Sequence, residues 1–217
     1  MDAYSSLEKT INLIENNLDN QDLNISFLSK KVFVSPYHLQ RIFYTLFGKT
    51  IGSYIRERRL TEAGTDIKIE KENAFSIIVI TKQFNEETSF EKVPKFWDEY
   101  YEKGYQKVVP PMLGICINNN ESLEFEYGIG SLKEYCNEIP EGFKQINIPE
   151  HLWGKFYTKG KMPTTIQKLW KEVVEWVHSS EYEIAANYDF ECYSEGDSDS
   201  EDYVSGIWVA LKLKNKS

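Results

Sequence analysis

Cysteine is scarce in this 217-residue chain: Cys116, Cys136 and Cys192 stand far apart and are odd in number. They form no C-x-x-C pair and no zinc-ligand spacing, so neither a disulfide framework nor a structural metal site is expected. Small core thiols in a reducing compartment account for them. His38, His151 and His178 are equally scattered, and no metal and no cofactor is expected. Long apolar runs are missing too. The longest, residues 74–80, is interrupted by a serine and falls far short of the ~20 residues that cross a bilayer, so no membrane partner is expected. The opening MDAYSSLEKT has neither the basic nor the apolar region of a secretory signal, and the expected location is cytoplasmic.

Apolar material and charge are both plentiful. The chain is 41% hydrophobic and 27% charged, enough to build real cores. Its net charge of −9 argues at first against nucleic acid, but the charge is unevenly spread. Residues 26–64 carry seven basic side chains (Lys30, Lys31, Arg41, Lys49, Arg56, Arg58, Arg59) against two acidic ones, whereas the remainder from residue 65 carries 17 basic against 27 acidic. A basic N-terminal piece on an acidic body suggests two jobs in one chain.

In the N-terminal piece Leu7, Ile11, Ile14 and Leu18 form one apolar helical stripe. Ile25, Leu28 and Val32 mark a short second helix. Ser35-Pro36 then supplies an N-cap and a residue with no N–H to leave unpaired, so a third helix starts at Pro36. Its inward stripe is Leu39, Ile42, Phe43 and Leu46, and Gly48 stands where a left-handed stop is wanted. Two short helices joined by a tight turn make a helix-turn-helix. The outward face of the third helix carries Tyr37, His38, Gln40, Arg41, Tyr44 and Thr45. Gln can bond adenine edges in two places and Arg can do so to guanine, which favours double-stranded DNA as a partner over a merely solvated face.

The run LSKKVFVSPYHLQRIFYTLFGKTIGSYIRERRLTEAG resembles the first helix-turn-helix of AraC-family transcription regulators, in the Rob-like subgroup. The matches are S-x-x-H-L-Q-R-x-F, the F-G pair and Y-I-R-x-R-R-L, within residues 5–64. The resemblance implies that Tyr37, Gln40 and Arg41 face bases in the major groove, with Lys30, Lys31, Lys49 and Arg56 as candidates for phosphate contact. Family members usually carry a second such unit. Here TDIKIEKEN, a polar connector, leads straight into FSIIVITKQF, a strand-like run. A single module neutralises few phosphates and should bind weakly. Either a homodimer binds DNA, or the chain no longer regulates by itself.

The rest of the chain reads as strands and two helices, twice over. FSIIVITKQF is a strand, VPKFWDEYYEK a helix from Val93, LGICINN and LEFEYGIG strands; then FKQINIP and LWGKFYTKG, a helix from Thr164 to His178, and NYDFECY and GIWVALKLK. KFWDEYYEK echoes KLWKEVVEW, which suggests a duplicated strand-helix-strand-strand unit. The acidic SEGDSDSED reads as a solvated turn, because its spacing does not match the glycine and terminal glutamate of a calcium loop.

V-P-x-F-W, L-G-I, E-Y-G-I-G, P-x-G-F, W-x-x-F-x-x-x-G and W-V-H-S-S…D-F-E-x-Y…I-W-V occur in this order over residues 75–213, and together they resemble the GyrI-like effector-binding domain. The expected fold is therefore α+β: an all-α helix-turn-helix domain over 1–64, a linker over 65–74, and over 75–217 a GyrI-like domain whose duplicated units form an antiparallel sheet with two helices. The resemblance implies that Glu191, in D-F-E-x-Y, points into an aromatic pocket where it meets a cationic small-molecule effector. A poorly solvated carboxylate seeks a counter-charge, and ring faces attract cations. Strand alternation puts Tyr193 on the face of Glu191, with Phe190 and Cys192 on the other. Tyr127, Trp153, Phe156, Trp170 and Trp208 are the further expected walls, while Trp97 and Trp176 fit helix-to-sheet stripes and read as core. The leading expectation is a ligand-responsive DNA-binding regulator. The alternatives are a drug-sequestering protein whose helix-turn-helix is a remnant, and a hydrolase using Glu191 as general base with Tyr193 assisting.

Overall fold

Local chemistry sets the helix boundaries of the N-terminal unit. A computed structural model describes residues 3–62, 64–118 and 122–215, and the chain divides into two compact units, residues 1–65 and 66–217. In the first unit α1 (Ala3–Glu15) is followed by α2 (Ile25–Val32), whose N-cap Asn24 accepts a hydrogen bond from the Phe27 amide at 3.0 Å. The Ser35 side chain accepts one from the His38 amide at 3.3 Å and opens α3 (Pro36–Phe47). Gly48 closes that helix in the left-handed region, at φ 67°. The turn between α2 and α3 pivots on Phe33, a non-glycine residue at φ 57°.

Leu7, Ile14, Leu28, Val32, Leu39 and Phe43 are buried together with Ile51 and Ile55 of α4 (Ile51–Glu62). Leu46, expected on the inward stripe, is 60% exposed instead. Two arginines of the basic segment are spent on this packing. Arg58 makes a two-pronged pair with Glu15 of α1, and Arg59 donates to the carbonyls of Leu18 and Asn20.

The second unit is one antiparallel sheet carrying two helices. Its elements are β1 (Asp66–Glu72), β2 (Phe75–Asn85), α5 (Glu86–Glu102), β3 (Leu113–Asn118), β4 (Glu124–Leu132), β5 (Lys144–Ile148), β6 (His151–Lys159), α6 (Thr164–Ser179), β7 (Tyr182–Tyr193) and β8 (Val204–Leu213). The strand order is β1-β6-β8-β7-β3-β4-β2-β5. With β1-β2-α5-β3-β4 and β5-β6-α6-β7-β8 as two repeats, the order reads the same from either edge. Each repeat thus gives its first strand to the other repeat's second strand. The duplication is real, but its unit has five elements, not four. The stretch 65–74, expected to be a linker, holds β1, which pairs with β6 over Asp66↔Tyr157 to Glu72↔His151.

The sheet curls strongly. Phe75 of β2 lies with its ring centroid 6.2 Å from that of Trp153 on β6, although a flat sheet would hold those strands about 24 Å apart. The inner face of the curl encloses a core of Ile77, Val79, Leu113, Ile115, Trp153 and Phe190. On the outer face α5 packs over β2 and β4, and α6 over β6, β7 and β8. Helix α5 begins at Glu86, capped by Asn85, and runs through Pro94. The helix therefore starts well before the expected Val93.

Candidate functional site

Between α5 and α6, over the central strands β3 and β7, the outer face opens into a cleft of about 1030 Å³. Glu191 of β7 lies on its floor and is held by three donors. The Tyr127 and Tyr193 hydroxyls donate to Oε2 at 2.7 and 2.8 Å, and the Trp170 indole donates to Oε1 at 2.8 Å. Trp97 extends the network by donating to the Tyr127 hydroxyl at 3.2 Å and stands edge-on to the Tyr193 ring. Burial first, and the Glu191 charge second, push both phenols well above the ordinary tyrosine value. They therefore stay protonated and remain donors. Gly114 lies opposite Glu191 in the ladder and leaves room for this network.

Asp189, two residues earlier on β7, lines the same cleft. Its Oδ1 is sealed from solvent and has no hydrogen-bond partner among the described residues, while the residue keeps some surface on the cleft. Burial, with the Glu191 charge second, lifts its carboxyl to about 8, against a smaller opposing hydrogen bond from Asn118. Asp98 and Glu195 bring the lining to four carboxylates, and no Lys, Arg or His is among its described residues. The Cys116 thiol on the lining is pushed far up, by burial foremost and then by the charges of Asp189 and Glu191. An apolar, ring-walled cavity with this charge suits a cation that carries apolar surface.

Of the expected walls, Tyr127 and Trp170 line the cleft with Glu191 and Tyr193, and three do not. Trp153 is fully buried on the inner face, among Phe75, Tyr188 and Phe190. Phe156 is sealed beneath α6, against Trp176. Trp208 faces inward and already carries a cation, the Lys155 ammonium 3.8 Å from its ring centroid. That ammonium also pairs with Glu70 and Glu72 of β1. Alternation along β6 alone bars Trp153 and Phe156 from one face. Trp97, expected in the core, lines the cleft instead. Asp189, Asp98 and Glu195 were not among the expected walls. The period that groups Glu191 with Tyr193 also picks out Asp189, while the last two need the tertiary fold. The acidic turn is more than a solvated link, because Glu195, Gly196 and Ser198 form part of the lining.

In the first unit Tyr37 is 77% exposed on α3, and His38, Arg41, Tyr44 and Thr45 lie open beside it. Gln40 does not share that face freely. It is half-buried, and its side-chain oxygen accepts from the Ile51 amide at 3.4 Å, at the start of α4. Lys30 and Lys31 are exposed. Lys49 is paired with Glu57 at 2.6 Å. Arg56 is half-buried and lies along Gly52.

These two units define a class: an AraC-type helix-turn-helix joined to an effector-binding domain with an aromatic, acidic cleft. The chain belongs to the family described as Cass2, integron-associated effector binding protein, which matches residues 68–211. Curated relatives include the regulatory protein SoxS of Salmonella typhimurium, 35% identical over 77 residues, 36% of this chain and 71% of that protein. The transposon Tn10 TetD protein of Escherichia coli is 35% identical over 83 residues, 38% of this chain. The match spans 59% of TetD's length. Among solved structures, SAV2435 bound to tetraphenylphosphonium superposes with a TM-score of 0.60 at 20% identity, over 68% of this chain and 94% of that one. No described helix is long and apolar enough to cross a membrane.

Proposed function

We propose that the chain is a DNA-binding transcription regulator whose C-terminal unit takes a small aromatic or amphipathic cation against Glu191. The observation that carries this reading is the Glu191 carboxylate. It is held by three neutral donors in a ring-walled cleft that holds three further acids and no basic lining residue among those described. The hydrogen bonds orient the charge without cancelling it, so a ligand cation supplies the missing counter-charge. Each ring contact adds roughly 0.5–2 kcal/mol. The tetraphenylphosphonium bound to SAV2435 is a cation of this kind.

The DNA half rests on Tyr37, His38 and Arg41, open on α3, with Lys30 and Lys31 on α2 as phosphate partners. Gln40 reads a base only after leaving its contact with α4, and the paired Lys49 and the half-buried Arg56 are weaker phosphate candidates. The SoxS and TetD matches support this half. A regulator of this kind works in the cytoplasm, where its DNA is, and with one helix-turn-helix unit it binds as a homodimer. A non-enzymatic cleft fits the same chemistry. The Cys116 thiol and both tyrosines are held protonated, and Glu191 is occupied by donors, so the lining presents no activated nucleophile.

Trp97 and Trp170 make the cleft self-reporting. Tetraphenylphosphonium should quench their fluorescence saturably, and Glu191→Gln should weaken its binding by roughly thirtyfold, since losing one partner of a buried charge pair costs about 2 kcal/mol or more. Unchanged affinity in Glu191→Gln would overturn the reading. If Arg41→Ala protects cells from a toxic cation as well as the parent does, the sequestering alternative takes its place.

A further inference from the structure

The cleft has a second anionic position that the Glu191 reading leaves unused. Asp189 and Glu191 point the same way from β7, and alternate residues on a strand are about 6.6 Å apart. Their situations differ. Glu191 has donors on both oxygens. Asp189 Oδ1 is enclosed with no partner among the described residues. Cys116 of β3 is the ladder partner of Asp189, and the apolar Phe125 and Val93 line the same cleft. Glu191 on its own strand bears on it, as does Cys116 on β3, with Glu86 at the start of α5 acting on Cys116, and Asp98 and Tyr101 of α5 share the lining. From α6 the lining is Ile166, Gln167 and Trp170, which carry no charge. None of these groups is basic, and no described residue of the lining supplies Asp189 with a counter-ion.

We infer that Asp189 anchors a second cationic group, so that the cleft prefers flat aromatic dications whose charges are about 7 Å apart to monocations of the same shape. This rests on the Glu191 reading and deepens it. In the free protein the Asp189 carboxyl, lifted to about 8, is protonated at neutral pH. A second positive charge beside it favours the carboxylate, and the proton leaves to solvent as the dication seats. The sign of the pH effect follows. Below about 8 each bound dication releases up to one proton, so its affinity rises with pH by up to tenfold per unit and levels off above that value. A monocation seated on Glu191 releases none from Asp189 and shows no such slope.

The test uses the full chain and two matched probes. One is 1,1′-dimethyl-4,4′-bipyridinium, whose two charged nitrogens lie at opposite ends of linked rings. The other is 1-methyl-4-phenylpyridinium, the same outline with one charge. Both are titrated by calorimetry and tryptophan quenching at pH 6.5, 7.5 and 8.5, in buffers of differing ionisation enthalpy to count released protons. The expected result is a dication preference of at least tenfold at pH 8.5 that shrinks toward pH 6.5, with proton release. Asp189→Asn should abolish both the preference and the pH slope, and a thermal melt matching that of the parent certifies its fold. Equal affinity for the two probes in the parent protein overturns the inference, as does a preference that survives in Asp189→Asn. If the monocation binds through Glu191 and only the preference is missing, the Glu191 reading stands alone. If neither probe binds, both readings fall.

Discussion

At Gly114 a methyl group does not fit. A Cβ there would come within 2.2 Å of the Tyr127 hydroxyl and 2.8 Å of the ring carbon that bears it. The ring stands edge-on to Phe84 and its hydroxyl accepts from the Trp97 indole, so the clash resolves by pulling the phenol from Glu191. Gly114→Ala should destabilise the protein by roughly 1–3 kcal/mol, the usual range for overpacking a filled site. It should also weaken tetraphenylphosphonium, though less than Glu191→Gln does, because the Trp170 and Tyr193 bonds persist. Thermal melting read beside the tryptophan titration checks both; an unshifted melt with unaltered binding would show that the glycine serves nothing here. At this scale part of the site was legible. Glu191 and Tyr193 follow from alternation and family pattern, and Tyr127 and Trp170 from their aromatic character. Trp153, Phe156 and Trp208 carry the same character but sit on the wrong face or beneath a helix, and composition does not distinguish a ring in a core from a ring on a wall. Asp189 was within reach of the alternation argument, but its sealed oxygen, without a partner among the described residues, appears only in three dimensions.

Among the elements, β1 is the one whose sequence misleads most. DIKIEKE alternates charged and apolar residues, with burial to match, yet its five charged side chains and its place between domains suggest a connector. Its partner lies far along the chain, so no local turn signals the pairing. Glu70 and Glu72 satisfy Lys155, which is buried on β6. A chain starting at Phe75 strips that edge and leaves a buried ammonium without its carboxylates. Breaking such a pair costs 3–5 kcal/mol when both partners are buried. Here the glutamates are about half exposed, so ~2 kcal/mol is the fitting scale, to which the lost ladder adds. A chain starting at Asp66 should therefore melt cooperatively, whereas one starting at Phe75 should melt far lower or aggregate. Equal melts by circular dichroism would return the segment to the status of a linker. The helix-turn-helix was far more legible, because Ser35, Pro36 and Gly48 act within one turn of where they stand. Helix α5 was half legible. Its C-terminal part was read from Val93, while the true start at Glu86 is signalled by Asn85.

For the whole molecule the charge split set the expectation of two functions, and its basic side is smaller than it looks. Arg58 and Arg59 hold α1 and α4 together and Lys49 is paired, so Arg41, Lys30 and Lys31 remain the exposed cations facing outward from α2 and α3. With only these three cations to meet DNA, the proposed regulator should bind weakly as one copy, with a shallow salt slope. Two copies on a two-part site double the slope and make binding depend steeply on protein concentration. Anisotropy of selected duplexes at about 150 mM salt should then show cooperative binding. Arg41→Ala should lose at least tenfold and its preference among sequences, since a bidentate guanine contact contributes about 1–3 kcal/mol of discrimination. Saturating tetraphenylphosphonium should shift the midpoint more than twofold, in either direction, and the shift should vanish in Glu191→Gln. Linkage then requires that DNA change the affinity for the cation by the same factor. A DNA affinity indifferent to the cation, with both ligands bound, would mean that the two units share a chain and nothing more.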